Sequence, residues 1–203
     1  IHYRRLEQNQ GHGAALNKAM DLARAPYIAY LPSDDVYYDD HLQSLYDCLE
    51  ANPQAVLAFS GVRYHYNRLT NGQIPLPHHS LQMVQVLHRR TPDRWLERSE
   101  LVTDDFERMF WHKLRSQGDF IGTEQLTCEW VAHPRQLHKL LQEPIGGINT
   151  YRSHFNVRHP LRFHTTQGNF RDEGTNYGRF RHRPDTPPSS DSLKILLVGE
   201  LAY

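Results

Sequence analysis

Cysteine is scarce in this chain: Cys48 and Cys128 are the only two in 203 residues. A disulfide framework needs more. Cys48 falls on the apolar side of a predicted helix and reads as a reduced core thiol. Net charge is absent too, with 23 Lys and Arg against 23 Asp and Glu. A broad nucleic-acid surface needs a basic excess, so that class of function is disfavoured. The 14 histidines would make the surface cationic at mildly acidic pH. No apolar run approaches the ~18 residues of a membrane span. There is no Cys-x-x-Cys and no His-Glu-x-x-His, and His133 and His138 fall on different faces of a helix, which disfavours zinc. Gly-x-Ser-x-Gly and the Walker loop are also missing, which disfavours serine hydrolases and P-loop enzymes. The first residue is Ile, and the pattern opens in mid-element, which predicts opening strands upstream of Ile1.

What is present is an alternation of helices and buried strands. Residues 1–6 read as a strand or its end, and Gln8 to Gly13 as a glycine-containing loop. Ala14 to Ala25 reads as a helix carrying Leu16, Ala19, Met20 and Ala23 on one face, stopped by Pro26. Tyr27 to Leu31 is a short apolar strand. A helix is expected over 41–51, with Leu42, Leu45, Cys48 and Leu49 inward. Ala55 to Phe59 has the unbroken apolarity of a strand buried on both faces. Val62 to Tyr66 and a partner after Asn71-Gly72 suggest a hairpin. Leu81 to Leu87 is strand-like. A third helix opens after Thr103, with Phe106, Met109, Phe110 and Leu114 on its apolar face, and Gly118 closes it. Phe120 to Gly122 and 136–142 read as a short strand and a short helix. From Pro144 onward the composition suggests irregular structure. Residues 184–192 have a linker composition, and 193–203 look like the first strand of a second α/β domain. Such alternation predicts an α/β fold with a mostly parallel sheet flanked by helices, as one domain over 1–183.

Three constellations are candidates for chemistry. Asp34-Asp35 ends the strand Tyr27–Leu31, where open α/β sheets bind ligands. Two readings stand: a strand-end turn capped by Ser33 or Asp34, or a site for a divalent cation, since Mg²⁺ is usually held by one or two carboxylates plus phosphate oxygens. Asp104-Asp105 follows Thr103; either Thr103 caps a helix whose first turn favours acidic groups, or a general base points into a cleft. Asn9 to Gly13 either makes a tight turn or brings backbone amides close to a phosphate. Asn17, one turn further, is by type more often solvated than ligating.

Taken in order, these pieces resemble the family 2 glycosyltransferases, which have the GT-A fold. Asn9-Gln10-Gly11-His12-Gly13-Ala14-Ala15-Leu16-Asn17-Lys18-Ala19-Met20 is similar to that family's Asn-x-Gly…Ala-x-Asn-x-Gly helix, with Lys18-Ala19 where a Gly is common. Tyr27 to Asp35 followed by His41-Leu42 looks like its strand, acidic metal motif and next helix. Thr103-Asp104-Asp105-Phe106 looks like its Glu-Asp motif, whose second carboxylate is the catalytic base. Glu129 to His133 loosely resembles a later segment carrying an Arg or His near the diphosphate. Pro32 stands where many members have a further acidic residue.

The resemblance implies an inverting transfer of a sugar, as by a hexosyltransferase, from a nucleotide-diphosphate donor to a hydroxyl of a glycan, lipid-linked or protein acceptor. Asp35 and Asp34 would hold Mg²⁺ or Mn²⁺. Asp105 would act as base, with Asp104 orienting the helix start or the acceptor. Gln10, Gly11, Gly13, Asn17, Asp34 and His133 would line the donor side, and His88 and Arg89 the acceptor side. The expected location is cytoplasmic or peripheral at the inner membrane face, in polysaccharide biosynthesis. A non-catalytic nucleotide-sugar or glycan-binding module and a metal-dependent hydrolase are the alternatives.

Overall fold

A computed structural model describes residues 4–64, 68–69, 81–142 and 147–175. In chain order the elements are α1 (His12–Leu22), β1 (Tyr27–Ala29), β2 (Val36–Tyr37), α2 (His41–Ala51), β3 (Ala55–Tyr64) and β4 (Arg68–Leu69). A 3-10 turn (Met83–Gln85), β5 (Val86–Arg89), β6 (Val102–Thr103), α3 (Phe106–Arg115) and β7 (Asp119–Trp130) follow, then α4 (Leu137–Gln142), α5 (Gly147–Phe155), β8 (Arg162–His164) and β9 (Phe170–Asp172). They form two compact units, one of residues 1–100 and 105–136, the other of 101–104 and 137 onward. The expected linker and second-domain strand lie outside the described residues.

The first unit is built on a sheet of order β1-β5-β3-β7-β2, with β4 on the end of β3. This is the expected α/β architecture of the GT-A kind, with one correction: among the described strands the pairing is mixed. β3 and β7 are parallel, whereas β5 runs antiparallel to both β1 and β3, and β2 antiparallel to β7. β1, β3 and β7 therefore share one direction, and β5 is threaded between two of them. The β3 strand runs on past Phe59 because its polar centre is satisfied inside: Gln85 donates to the Ser60 carbonyl at 2.8 Å, and the Ser60 hydroxyl donates to Gly61 O. Leu81 to Leu87 is in part the 3-10 turn, and Arg4–Leu6 is irregular, not strand.

One face of the sheet packs α1 and α3 around Trp95. Met20, Ile28, Tyr30, Leu57, Phe59, Phe106, Phe110 and Trp111 join it in a single cluster. Trp95 stacks on Phe110 and Phe106, with centroids 4.1 and 4.8 Å away. The other face packs α2. Leu45 and Leu49 are fully buried there against Ala55, Ala58 and Leu87. The expected inward Leu42 is 48% exposed, and His41 is buried in its stead. The buried stripe is 41-45-49, four residues per step, and Leu42 lies one residue off it. Cys48 is a free, half-buried thiol whose pKa is raised by burial.

The second unit pairs β6, β8 and β9 in that order. Val102, Leu141, Ile148, Tyr151, Val157, Leu161 and Phe163 form its core. The irregular structure expected after Pro144 gives way here to α5 and a β8–β9 hairpin, since Ile148, Tyr151 and Phe155 keep helical spacing within a Gly-, Arg- and His-rich stretch. Glu173, 3% exposed, accepts from Arg152 and from the Leu161 amide. Breaking a buried ion pair by removing one partner costs about 3–5 kcal/mol. Glu173→Ala is expected to lower the melting temperature of the full chain more than Asp172→Ala, whose bridge to Arg162 is exposed; equal shifts would refute this. No helix among the described residues is long and apolar enough to cross a membrane.

Candidate functional site

The chain leaves β1 through Tyr30 and Leu31 and turns back into β2, and Asp34 and Asp35 sit in that turn. Its base is closed by the Tyr37 hydroxyl, which donates to the Tyr30 carbonyl at 2.6 Å, and its neck by the Asp35 amide, which donates to Pro32 O at 3.2 Å. β2 is held by β7 through Val36↔Glu129 and Tyr37↔Cys128, so the end of β7 arrives beside the carboxylates. The Val131 amide donates to Asp35 Oδ1 at 2.9 Å, and His133 Nε2 lies 2.9 Å from Asp34 Oδ2. The structure thus brings together Asp34, Asp35 and His133, which are 99 residues apart at the widest.

Burial pushes the Asp35 carboxyl up to about 6; the Val131 hydrogen bond works against this, Asp34 adds to it, and His133 opposes it weakly. A half-buried carboxylate pair with so little compensation favours a cation. Among the described residues no three His, Cys, Asp or Glu side chains gather into a protein-only metal cage. The second oxygens, Asp34 Oδ1 and Asp35 Oδ2, accept no hydrogen bond from the described residues. Two carboxylates with one open oxygen each fit a hard cation completed by phosphate oxygens.

The N-terminus of α1 is the second component. Gly11 has φ 94, a region that favours glycine, and its amide donates to Asn9 Oδ1 at 3.0 Å. No side chain caps this helix start. Desolvation lowers the pKa of His12, and the Asp34 charge works against this. Gly13 has a packing reason of its own: a Cβ there would stand 1.8 Å from the Leu96 carbonyl oxygen. That obstacle is backbone. Gly13→Ala is therefore expected to destabilise by at least the ~1–3 kcal/mol typical of overpacking, read as a lowered urea midpoint; an unchanged midpoint would show that the 96–98 segment yields freely.

Asn17 is neither solvated nor open to a donor. It is 5% exposed, donates to Trp95 O and Glu97 Oε1 at 3.0 Å each, and accepts from the Trp95 amide at 2.8 Å. It pins the 95–97 segment to α1, and Arg98 continues that fixation by donating to Asn9. Gln10 is exposed. Asn17→Ala leaves buried partners unmatched, each worth about 1–3 kcal/mol; thermal unfolding should show the loss, and a melting temperature equal to wild type would remove Asn17 from the scaffold.

The side chains of His88 and Arg89 are engaged inside the scaffold. The His88 ring is fully buried. Its Nδ1 lies 2.7 Å from Arg89 O, an acceptor, so the proton sits on Nδ1 and Tyr30 donates to Nε2 at 2.8 Å. Arg89 spends its guanidinium on Ala55 O, Leu49 O and Tyr27 Oη.

Asp104 and Asp105 face different partners. Asp104 accepts from Gln142 Nε2 and the Thr166 amide at 2.6 Å each, and from Thr166 Oγ1 at 3.2 Å. Asp105, 4% exposed, begins α3 and accepts from Arg108 at 2.8 Å. Thr103 belongs to β6, so the helix begins two residues later than a Thr103 cap would require. An open groove of about 510 Å³ beside α2 and β7, bordered by Asp40, Asp47 and Gln125, contains none of these residues.

Val131, Tyr37 and Arg98 escape sequence reasoning. Val131 acts through its amide, which leaves no trace in residue type. Tyr37 and Arg98 carry only the signal of polar groups beside a motif.

Comparison with known proteins supplies the family. Over 58 residues the chain is 40% identical to an uncharacterized glycosyltransferase of Methanocaldococcus jannaschii, a stretch that is 29% of this chain and 20% of that protein. Residues 1–117, more than half the chain, match Glycosyl transferase family 2 and hold α1, the Asp34-Asp35 turn and Asp105. The chain belongs to glycosyl transferase family 2.

Proposed function

We propose that this chain moves a glycosyl group, a hexose in the first instance, from a nucleoside-diphosphate sugar to an acceptor hydroxyl with inversion. The observation that carries the reading is the Asp34-Asp35 turn, locked from β7 by Val131 and His133. Asp35 and Asp34 would hold Mg²⁺ or Mn²⁺. Such an ion supplies Lewis-acid stabilisation of the departing diphosphate. The dipole of α1 favours negative charge at its start. Asp105 accepts the proton of the acceptor hydroxyl as its oxygen bonds to the anomeric carbon and the bond from that carbon to the diphosphate oxygen breaks. Asp104 is engaged by Gln142 and Thr166 of its own unit and serves structure there. The same reading makes the enzyme a cytoplasmic or membrane-peripheral contributor to glycan synthesis.

Mn²⁺-dependent binding of nucleoside diphosphates to the full chain tests this. Asp35→Asn should weaken the Mn²⁺-dependent part at least ~10-fold, the scale of a lost charge-assisted contact of ~1.4 kcal/mol or more. Binding that ignores both Mn²⁺ and the substitution would sink the donor-site assignment. Binding intact in wild type without sugar transfer to any acceptor would favour the non-catalytic module, a reading to which Pro32 at the acidic motif gives some support.

A further inference from the structure

The six residues after β7 form a small template, and Gln136 is its keystone. Gln136 is 9% exposed, too buried for a solvent-facing amide. Its Nε2 donates to Val131 O at 3.1 Å, and its Oε1 accepts from the His133 amide at 3.2 Å. One side chain thus satisfies both faces of the backbone between the two residues that touch the aspartates. The turn is closed again by the Gln136 amide on His133 O at 3.4 Å. Within it the Arg135 amide donates to His133 Nδ1 at 3.2 Å. An N–H aimed at Nδ1 leaves that nitrogen as acceptor, so a neutral ring carries its proton on Nε2. Nε2 is the atom 2.9 Å from Asp34 Oδ2.

We infer that Gln136 is a positioning residue for the Asp34-Asp35 pair, and that His133 serves Asp34 as an N–H donor, not a cation as a ligand. The loop fixes one oxygen of each carboxylate, Asp35 Oδ1 by Val131 and Asp34 Oδ2 by His133, and leaves the other pair of oxygens with a set direction. Ordering of this kind from outside a metal site typically alters affinity by 10–100-fold. The inference rests on the donor-site reading for its functional value, but its structural half stands without it.

The test uses the full chain with ¹⁵N-labelled histidine. Long-range ¹H–¹⁵N spectra report the His133 tautomer, with His133→Gln giving the assignment. Free Mn²⁺ is counted by electron paramagnetic resonance in the presence of ADP, GDP, CDP, UDP and dTDP in turn. Wild type should show His133 protonated at Nε2. Gln136→Ala should give a mixed or reversed tautomer, and Mn²⁺ affinity lower by about 10–100-fold. Gln136→Glu keeps an acceptor for the His133 amide but sets a carboxylate against Val131 O; it should lose affinity in the same direction and decides the matter if the alanine variant does not fold. A Gln136 variant with the wild-type tautomer and Mn²⁺ affinity within about twofold of wild type would overturn the positioning role. Wild type that binds no Mn²⁺ with any of the five nucleotides would overturn the donor-site reading instead, while the tautomer still decides whether Gln136 orders the loop.

Discussion

Asp105→Asn is expected to abolish sugar transfer by the full-length protein while leaving nucleotide binding in place. The amide matches the carboxylate in shape, so the start of α3 should persist, but it cannot accept the acceptor's proton. Loss of a positioned general base costs roughly 10²–10⁴-fold in turnover. The neighbouring residue supplies the control. Asp104 is committed to Gln142 and Thr166 within its own unit, so Asp104→Asn should lower the melting temperature and leave turnover per folded molecule near wild type. The pair of variants separates a chemical role from a structural one at adjacent positions. Turnover of Asp105→Asn within about tenfold of wild type would withdraw the base assignment, because even a modest general base contributes more than that.

What the sequence discloses follows what its chemistry records locally. The α2 bounds are the expected ones, 41–51, since an apolar period and an Asn-Pro stop mark both ends. The Asp34-Asp35 turn is legible because a short apolar strand runs into it. β7 is less so: twelve residues long, it contains the exposed Glu124-Gln125, and Glu124 takes a left-handed φ of 58 that breaks the alternation a reader counts. β3 hides behind Ser60-Gly61, which has the composition of a turn and the hydrogen bonds of a strand. At the site, type-based reasoning finds carboxylates and misses whatever acts through backbone. His133 comes into view by resemblance alone, and Val131 only as a member of the same segment; Gln136 by nothing. Errors also run the other way. Asn17 and His88 have the side chains of ligands, yet their polar atoms are consumed by Trp95, Tyr30 and Arg89 in the interior.

Those interior histidines carry the second large expectation, an acid-sensitive fold. His88 and His41 are both fully buried, and burial lowers each pKa to about 4; for His88 the Arg89 carbonyl resists this, for His41 the Asp40 charge does. A depressed histidine pKa means that the unfolded chain binds the proton first. The stability contributed is therefore complete above the unfolded pKa of about 6.5 and is lost as pH falls from there to about 4. At 1.36 kcal/mol per unit, two such groups remove ~7 kcal/mol across that window as an upper figure. Asp35 works with the opposite sign: raised to about 6, it takes up a proton in the folded state first and offsets part of this loss below pH 6. The net expectation is a loss of stability between pH 6.5 and 4, smaller than the histidine figure alone because Asp35 opposes it. Urea unfolding at half-unit steps of pH measures it. His88→Gln should be less stable than wild type at pH 7, since Tyr30 and Trp95 lose their shared partner geometry, yet its profile should be flatter by one proton. A wild-type profile that is level from pH 6.5 to 4 would mean that the core admits charged imidazole, and the aromatic packing around Trp95 would have to be rethought.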